Sequence, residues 1–278
     1  MNKILVIDDD RAIRLLLCEL MKTAGHSVES AKDGLEGLEK LRKKKYDLIL
    51  LDVWMPRMNG LEFLSQLRKE PSPPPKVIVM TADNTPETLL SAVKEQVYMY
   101  MAKPFQPKAL EEMVKSALSA KLGSGAIEVI SARPDWVELL VPCELETAER
   151  IQSFMNHLDI GLAAEVREAV GRAFHELLLN AIEWGGELDP NRKVRISYLR
   201  ARRMLLYCIK DPGKGFRLED LPHAAVSNPP GQPFDHIKVR DEKGLRAGGF
   251  GILMTRAMVD ELLYNEERNE VVFVKYLD

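Results

Sequence analysis

A chain of 278 residues is long enough for two domains, since domains commonly contain roughly 100–200 residues. Hydrophobic residues make up 46% of it and charged residues 29%, a balance that supports ordinary globular cores. The net charge of -3 argues against a dedicated DNA-binding output domain, which would carry a basic patch.

The first part of the chain alternates short apolar segments with segments of helical spacing. The strand-like segments are KILVI, HSVESA, YDLILLD, KVIVMTA and VYMYMAK, and a helix-like segment follows each of them. Five strands alternating with five helices predict a doubly wound, five-stranded parallel sheet with helices on both faces. We expect this α/β domain to span residues 1–120.

The remainder of the chain has a different pattern of predicted strands and helices. Residues 121–126 are rich in glycine, serine and alanine and are predicted to be a linker. In residues 127–278, runs of strands beside runs of helices predict an α+β sandwich, with GILMTRAMVDELLYN (residues 251–265) as a helix. Residues 217–247 show little periodicity and are predicted to form a functional lid or a disordered loop.

Polar residues stand at the carboxyl ends of the predicted parallel strands, where sites form in a doubly wound sheet. They are Asp8 and Asp9, then Asp52, Thr81 and Lys103. Converging carboxylates repel each other unless a cation lies between them, and hard oxygens favour Mg2+. Asp52 can then form an acyl phosphate as a nucleophile, while Lys103 neutralises the phosphoryl group. Each residue alone is an ordinary strand-end group, but their order predicts a site.

The motifs ILVIDDD, LILLDVWMPRMNG, VIVMTA and MAKPF resemble the response-regulator receiver family, whose fold is flavodoxin-like. The resemblance implies that Asp52 is the phosphoacceptor, that Asp9 is a direct Mg2+ ligand and that Asp8 assists through water. It implies the backbone carbonyl of Trp54 as the third protein ligand. It also implies an upstream histidine kinase or phosphotransfer protein as the phosphoryl donor.

By the same resemblance, Thr81 and Tyr100 are the switch pair, and the Lys103–Pro104 peptide bond is cis. The segment EQVYMYMAKP departs from the family, which usually has a Gly-Ala pattern before the lysine. Its additional apolar and aromatic side chains indicate either a better-packed core or a docking surface for the second domain.

A nucleotide site in the second domain must rest on motifs other than a Walker A sequence or a GxGxxG fingerprint, since neither occurs. HELLLNAIEWG places Glu176 and Asn180 on one helical face, where a carboxylate can polarise a hydroxyl and an amide oxygen can ligate Mg2+. KDPGKGF offers Asp211 as an acceptor for an exocyclic amine. RAGGFGI precedes a helix whose N-terminus attracts phosphate. Each motif alone is common in turns and helices, but the three together are specific.

These three motifs resemble the N, G1 and G2 boxes of the GHKL superfamily, which includes histidine kinases, gyrase and anti-sigma-factor serine kinases. The resemblance implies that Asn180 holds Mg2+, that Glu176 is the catalytic carboxylate and that Asp211 reads the adenine of ATP. Four glycines would line the nucleotide: Gly213, Gly215, Gly249 and Gly251. The compact layout and the segment WVELLVPC are similar to the anti-sigma-factor serine kinases, although the lid segment differs from theirs.

The leading hypothesis is a response regulator whose output is an ATP-dependent serine/threonine protein kinase, acting on an anti-anti-sigma-like protein in a partner-switching pathway. The alternative is a non-catalytic ATP-binding switch that sequesters a partner such as a sigma factor. Retention of Glu176 favours catalysis, because sequestration alone needs no general base. Homodimer formation is left open.

The sequence also predicts a cytoplasmic location. Three acidic residues (positions 8–10) stand where a signal peptide needs its apolar stretch, and the three cysteines are isolated from one another. No apolar run reaches the ~20 residues of a membrane helix, so no membrane contact is expected.

Overall fold

The computed structural model describes residues 1–69, 74–83, 85–119, 127–159, 161–217, 225, 232, 234–242 and 250–277. The chain divides into two compact units, Met1–Leu122 and Gly123–Asp278. Within the described ranges, every helix is too short or too polar to span a lipid bilayer.

The first unit alternates strands with helices. The strands are β1 (Lys3–Ile7), β2 (Ser27–Ala31), β3 (Leu48–Asp52), β4 (Lys76–Thr81) and β5 (Met99–Ala102). The helices are α1 (Arg11–Thr23), α2 (Gly34–Lys43), α3 (Gly60–Leu67), α4 (Pro86–Lys94) and α5 (Pro107–Ser119). The strands pair in parallel in the order β2-β1-β3-β4-β5, which confirms the predicted doubly wound sheet.

Both faces of this sheet are covered, which explains why its central strands read as continuous apolar runs. On one face, Ile4 of β1 belongs to a core that includes Leu17 of α1 and Leu110 of α5. On the other face, Ile7 lies beside α2 and Phe63 of α3. The polar residues are therefore confined to the ends of the strands, where the site is built.

The second unit combines antiparallel strands with helices. The strands are β6 (Glu128–Arg133), β7 (Trp136–Pro142), β8 (Lys193–Ala201), β9 (Met204–Lys210), β10 (Glu261–Tyr264) and β11 (Glu270–Tyr276). The helices are α6 (Leu145–Leu158), α7 (Ala164–Asn180), α8 (Asp235–Glu242) and α9 (Gly251–Met258). The strands pair antiparallel in the order β10-β11-β9-β8-β7-β6, which confirms the predicted α+β sandwich.

Aromatic side chains join α7 to this second sheet. The ring of Phe174 on α7 lies 5.2 Å from that of Tyr207 on β9, which stacks at 4.8 Å on Phe273 of β11. Asp159, which follows α6, accepts hydrogen bonds from the hydroxyls of Tyr198 at 2.9 Å and Tyr207 at 2.6 Å. These contacts hold the two long helices against the strands that end at the nucleotide motifs.

The helix predicted over residues 251–265 is wrong in its second half. α9 ends at Met258, and residues Glu261–Tyr264 form β10 instead. β10 pairs antiparallel with β11, and the carboxylate of Asp260 accepts the backbone N–H of Tyr276 at 2.6 Å. The local spacing of apolar residues suits either structure, and pairing with a neighbouring strand decides between them.

The predicted lid contains one described helix, α8, which has eight residues. Most of residues 217–247 lies outside the described residues, and a lid role for the segment stays a prediction.

Candidate functional sites

Three of the side chains predicted at strand ends meet at the carboxyl edge of the first sheet. Lys103, after β5, places its ammonium group between two carboxylates, 2.6 Å from Asp8 Oδ2 and 2.7 Å from Asp52 Oδ1. The two aspartates are almost fully buried, with 2% and 6% of their surfaces exposed. The ammonium group of Lys103 therefore bridges two aspartates that are far from it in sequence.

Burial is the largest influence on the carboxyl group of Asp52 and raises its pKa. The hydrogen bond and charge of Lys103 lower that pKa, whereas the charge of Asp8 raises it. For Lys103, burial lowers the pKa, but the hydrogen bonds to both carboxylates outweigh burial and leave the pKa above its ordinary value. Lys103 therefore stays cationic beside a carboxylate that can act as a nucleophile.

The oxygens at this edge suit Mg2+. In the described parts of the chain, no three acidic, histidine or cysteine side chains are grouped as a metal cage. Mg2+ keeps several waters and takes only one or two carboxylates from most proteins, so Asp8 and Asp52 fit this ion. Asp9 is exposed, and its carbonyl accepts a hydrogen bond from Arg14 at 2.8 Å. The ligand roles of Asp9 and of the Trp54 carbonyl stay predictions.

Thr81 and Tyr100, the predicted switch pair, are both buried and both contact Asp83. Thr81 Oγ1 accepts the backbone N–H of Asp83 at 3.1 Å, and the Tyr100 hydroxyl donates to the Asp83 carbonyl at 2.5 Å. Burial raises the pKa of Tyr100, so its hydroxyl remains protonated and can act as a donor. The Tyr100 ring thus lies inside the fold in this structure.

Asp83 is a residue that sequence reasoning missed. Its carboxylate accepts hydrogen bonds from Trp54 Nε1 at 3.0 Å and from Thr88 Oγ1 at 2.7 Å. The residue thereby links the loop after β3 with the start of α4 and with the switch pair. An aspartate after a strand is a common turn residue, so nothing in the sequence distinguished it.

The segment around Tyr100 belongs to the core. Tyr98 and Tyr100 are 6% and 4% exposed, and the Lys76 ammonium lies 4.9 Å from the centre of the Tyr98 ring. These contacts favour the better-packed core over the docking surface. The Lys103–Pro104 bond is cis, which confirms that implication of the resemblance.

In the second unit, Glu176 and Asn180 lie on the face of α7 that meets the start of α9. A β-carbon placed at Gly251 would lie 2.7 Å from Glu176 Oε2 and 3.7 Å from Asn180 Nδ2. Phe250 precedes α9 and its side chain caps none of the first backbone N–H groups, and N–H groups at a helix start can bind an anion. A carboxylate, an amide and a helix start therefore converge at this point. Gly249 lies outside the described residues.

Asp211, just after β9, lies in a close-fitting pocket of glycines. Its Oδ1 accepts the backbone N–H of Gly213 at 2.7 Å, and a β-carbon at Gly185 would collide with its carboxylate. Gly185 ends the π-helical turn Ala181–Gly185, which continues α7. Burial raises the pKa of Asp211, while the Gly213 N–H and the charge of Arg192 lower it. Such a half-buried carboxylate can accept a further hydrogen bond from an adenine amine.

Gly215 allows the loop after Asp211 to pack closely against the turn between β10 and β11. Its φ is +78°, and a β-carbon there would collide with the backbone carbonyl of Glu267. Both the left-handed backbone and the close approach require glycine.

Two further residues that the sequence did not single out contact the same loop. Arg192 Nη2 donates to the carbonyl of Pro212 at 2.9 Å, and Asn269 Nδ2 donates to the carbonyl of Gly213 at 3.1 Å. Asn269 is 56 residues from Gly213, so no local pattern could connect them.

Comparison with known proteins finds one matching family model in each half of the chain. The family model described as the response regulator receiver domain matches residues 4–115. The model described as the histidine kinase-like ATPase domain matches residues 141–275.

Individual relatives include the response regulator MprA of Mycobacterium sp. (strain KMS), 39% identical over 112 residues, which are 40% of this chain and 47% of that protein. The probable transcriptional regulator ycf27 of Porphyridium aerugineum is 36% identical over 117 residues, 42% of this chain and 48% of that protein. The chain thus spans about half the length of the curated relatives it matches.

Among solved structures, the chemotaxis response regulator CheY4 of Vibrio cholerae is 32% identical, with a TM-score of 0.41. The match covers 42% of this chain and 99% of that one. On the two family matches and the strand order of each sheet, the chain carries a response regulator receiver domain followed by a histidine kinase-like ATPase domain of the GHKL type.

Proposed function

We propose that this protein is a response regulator whose output is an ATP-dependent serine/threonine protein kinase. The position of Glu176 is the observation that supports catalysis: its carboxylate lies against Gly251, at the start of α9. A domain that only bound ATP would not need a general base at the phosphate end of its site.

In this proposal each side chain has one task. Asp211 accepts a hydrogen bond from the exocyclic amine of adenine, and the first amides of α9 bind phosphate oxygens. Asn180 would hold Mg2+, which supplies positive charge to the phosphates. Glu176 takes the proton of the attacking serine or threonine hydroxyl. The hydroxyl oxygen then bonds to the terminal phosphorus of ATP, and ADP leaves.

The receiver supplies the input. A carboxylate oxygen of Asp52 attacks the phosphorus of a phosphohistidine on the donor, an upstream histidine kinase or phosphotransfer protein. The bond between phosphorus and the imidazole nitrogen breaks, the histidine leaves, and an acyl phosphate forms on Asp52. Lys103, already 2.7 Å from Asp52, neutralises part of the added charge. The carboxylates of Asp8 and Asp52 would hold Mg2+ beside it.

The proposed substrate is an anti-anti-sigma-like protein in a partner-switching pathway of the cytoplasm. Support for this class comes from the resemblance of residues 126–278 to the anti-sigma-factor serine kinases. Sequestration of a sigma factor without phosphate transfer is the competing outcome.

Transfer of labelled phosphate from ATP to candidate partners tests the proposal. Glu176→Gln should keep its affinity for ATP but lose roughly 10²–10⁴-fold in turnover, the usual contribution of a general base. Asn180→Ala and Asp211→Ala should lose binding itself. Glu165→Gln, an exposed position on the same helix, is the control and should behave as wild type. ATP-dependent partner capture without any transfer would favour sequestration instead.

A further inference from the structure

The turn between β10 and β11 supports the loop that carries Asp211. The backbone N–H of Asp211 donates to the carbonyl of Asn269 at 2.9 Å, where β9 meets the turn. The side-chain Nδ2 of Asn269 donates to the carbonyl of Gly213 at 3.1 Å. Asn269 therefore contacts the loop at both ends of the Asp211–Gly213 stretch.

The side chain of Asn269 is itself held in one orientation. Its Oδ1 accepts a hydrogen bond from Asn265 Nδ2 at 2.8 Å. Asn265 Oδ1 in turn accepts the backbone N–H groups of Asn269 and Glu270, each at 3.1 Å. Because the amide oxygen of Asn269 faces a donor, its amide nitrogen is directed at Gly213.

Residues of the loop beyond Gly213 also contact the turn between β10 and β11. Gly215 lies directly over the carbonyl of Glu267, and the guanidinium of Arg268 lies 5.9 Å from the centre of the Phe216 ring. The Phe216 ring also meets that of Tyr264 edge-on at 5.8 Å. The turn and the loop are thus shaped to each other over several residues.

We infer that Asn269 is a positioning residue that orients the carboxylate of Asp211 and thereby sets the preference for adenine; this inference rests on the proposed function. Gly213 N–H donates to Asp211 Oδ1 at 2.7 Å, so a displaced Gly213 displaces the carboxylate. Adenine presents an amine donor where guanine presents a carbonyl acceptor. A misplaced Asp211 therefore weakens binding of ATP and does not weaken binding of GTP, whose carbonyl it repels.

Asn269→Asp in the full chain tests this assignment, because it keeps the acceptor for Asn265 but replaces the donor to Gly213 with an oxygen. Titration calorimetry with ATP and GTP, each with Mg2+, should show about tenfold weaker ATP binding, the order expected for one lost hydrogen bond that leaves a carbonyl unpaired. The ratio of ATP to GTP affinity should fall accordingly. A purely structural defect would lower the melting temperature without changing this ratio.

A second measurement needs no nucleotide. Hydrogen exchange at the Gly213 amide, followed by mass spectrometry of the apo protein, should be faster in Asn269→Asp than in wild type. Asn156→Asp is the matched control, since Asn156 is an exposed residue of α6 that accepts a hydrogen bond from Gln152. If Asn269→Asp does not fold, Asn265→Asp removes only the donor to Asn269 and should lower the affinity ratio to a smaller degree.

The outcomes separate the inference from the function on which it rests. If folded wild-type protein binds no ATP, both are overturned. If wild type binds ATP and Asp211→Ala does not, unchanged affinities and unchanged Gly213 exchange in Asn269→Asp and Asn265→Asp overturn the positioning role alone.

Discussion

A single lysine stands between two buried carboxylates at the first site. Lys103 compensates the charge of either Asp8 or Asp52, but not of both together. The remaining negative charge attracts a divalent cation, and the added phosphoryl group in turn needs that cation. At the residue scale, this balance of charge is the one that the proposed phosphorylation of Asp52 requires.

We expect a small phosphodonor with Mg2+ to add one phosphoryl group to wild-type protein and none to Asp52→Ala. Asp52 ends β3 and contacts Lys103, whereas Asp47 stands exposed just before the same strand. Intact-mass measurement checks the result, with Asp47→Ala as the control that should label normally. Equal labelling of Asp52→Ala would assign the phosphoacceptor to another residue.

A buried carboxyl group in the second unit should make stability depend on pH. Burial raises the pKa of Asp159, although the hydroxyls of Tyr198 and Tyr207 bond to it. The folded state then binds the proton more tightly, so this group's contribution to the free energy of unfolding falls as pH rises from about 3.9 through the folded pKa. Asp159→Asn removes that loss and should gain stability relative to wild type with rising pH. The gain is about 1.4 kcal/mol for every tenfold difference in proton affinity between the folded and unfolded states.

Urea unfolding at several pH values measures this difference. In a Trp54→Phe background, the remaining tryptophans, Trp136 and Trp184, report on the second unit. Asp135→Asn, an exposed aspartate in the β6–β7 turn, controls for the loss of one charge. Parallel pH curves for Asp159→Asn and wild type would show that the carboxyl group has an ordinary pKa.

At the scale of elements, the hairpin β10–β11 packs against the loop after β9. Substitution of Gly215 tests how closely the two fit. Gly215→Ala should cost more than the ~1–2 kcal/mol of left-handed backbone strain, because its β-carbon also meets the Glu267 carbonyl. It should weaken ATP binding as well. Gly25→Ala has the same kind of backbone, φ +87°, but open space around it, so it should show the strain alone.

Urea unfolding and ATP titration of both variants check this prediction. Gly25 lies in the first unit, and its variant should keep the ATP affinity of wild type. Equal stability losses in the two variants would mean that the hairpin yields to the added methyl group.

How far the sequence predicts each element depends on where its contacts lie. The parallel strands were predictable because a strand that is buried on both faces, such as β3, is a continuous apolar run in the sequence. The polar residue at the end of that run marks the end of the strand. β10 was missed because its pairing with β11 is a contact between segments. Asp83 and Asn269 were missed for the same reason, since their hydrogen bonds reach distant residues and leave no local pattern.

At the scale of the whole molecule, the two units are expected to be coupled. A receiver has no substrate beyond its phosphodonor, so we expect phosphorylation of Asp52 to act through something that the receiver touches. Tyr100 already lies inward on Asp83, so the added charge would stabilise or displace an existing contact. A coupling free energy of about 1–3 kcal/mol would change ATP affinity, turnover or partner binding by roughly 5–150-fold, in either direction.

A beryllofluoride mimic at Asp52 checks the coupling. ATP affinity, turnover and partner binding are compared with and without the mimic, and Asp52→Ala serves as the control that cannot respond. Identical values for all three, with the mimic shown to be bound, would restrict the receiver to localisation or dimerisation.

The position of β11 in the second sheet fixes the order in which the two sheets can be completed during synthesis. The five strands of the first sheet are complete by Ala102, so this unit can fold while the ribosome is still making the second. β11 lies between β9 and β10 and is made after both, so the second sheet stays open until Glu270–Tyr276 emerges. The loop that carries Asp211 likewise waits for Asn269. A nascent chain can therefore complete its first sheet before the loop that carries Asp211 gains its contacts in the second sheet.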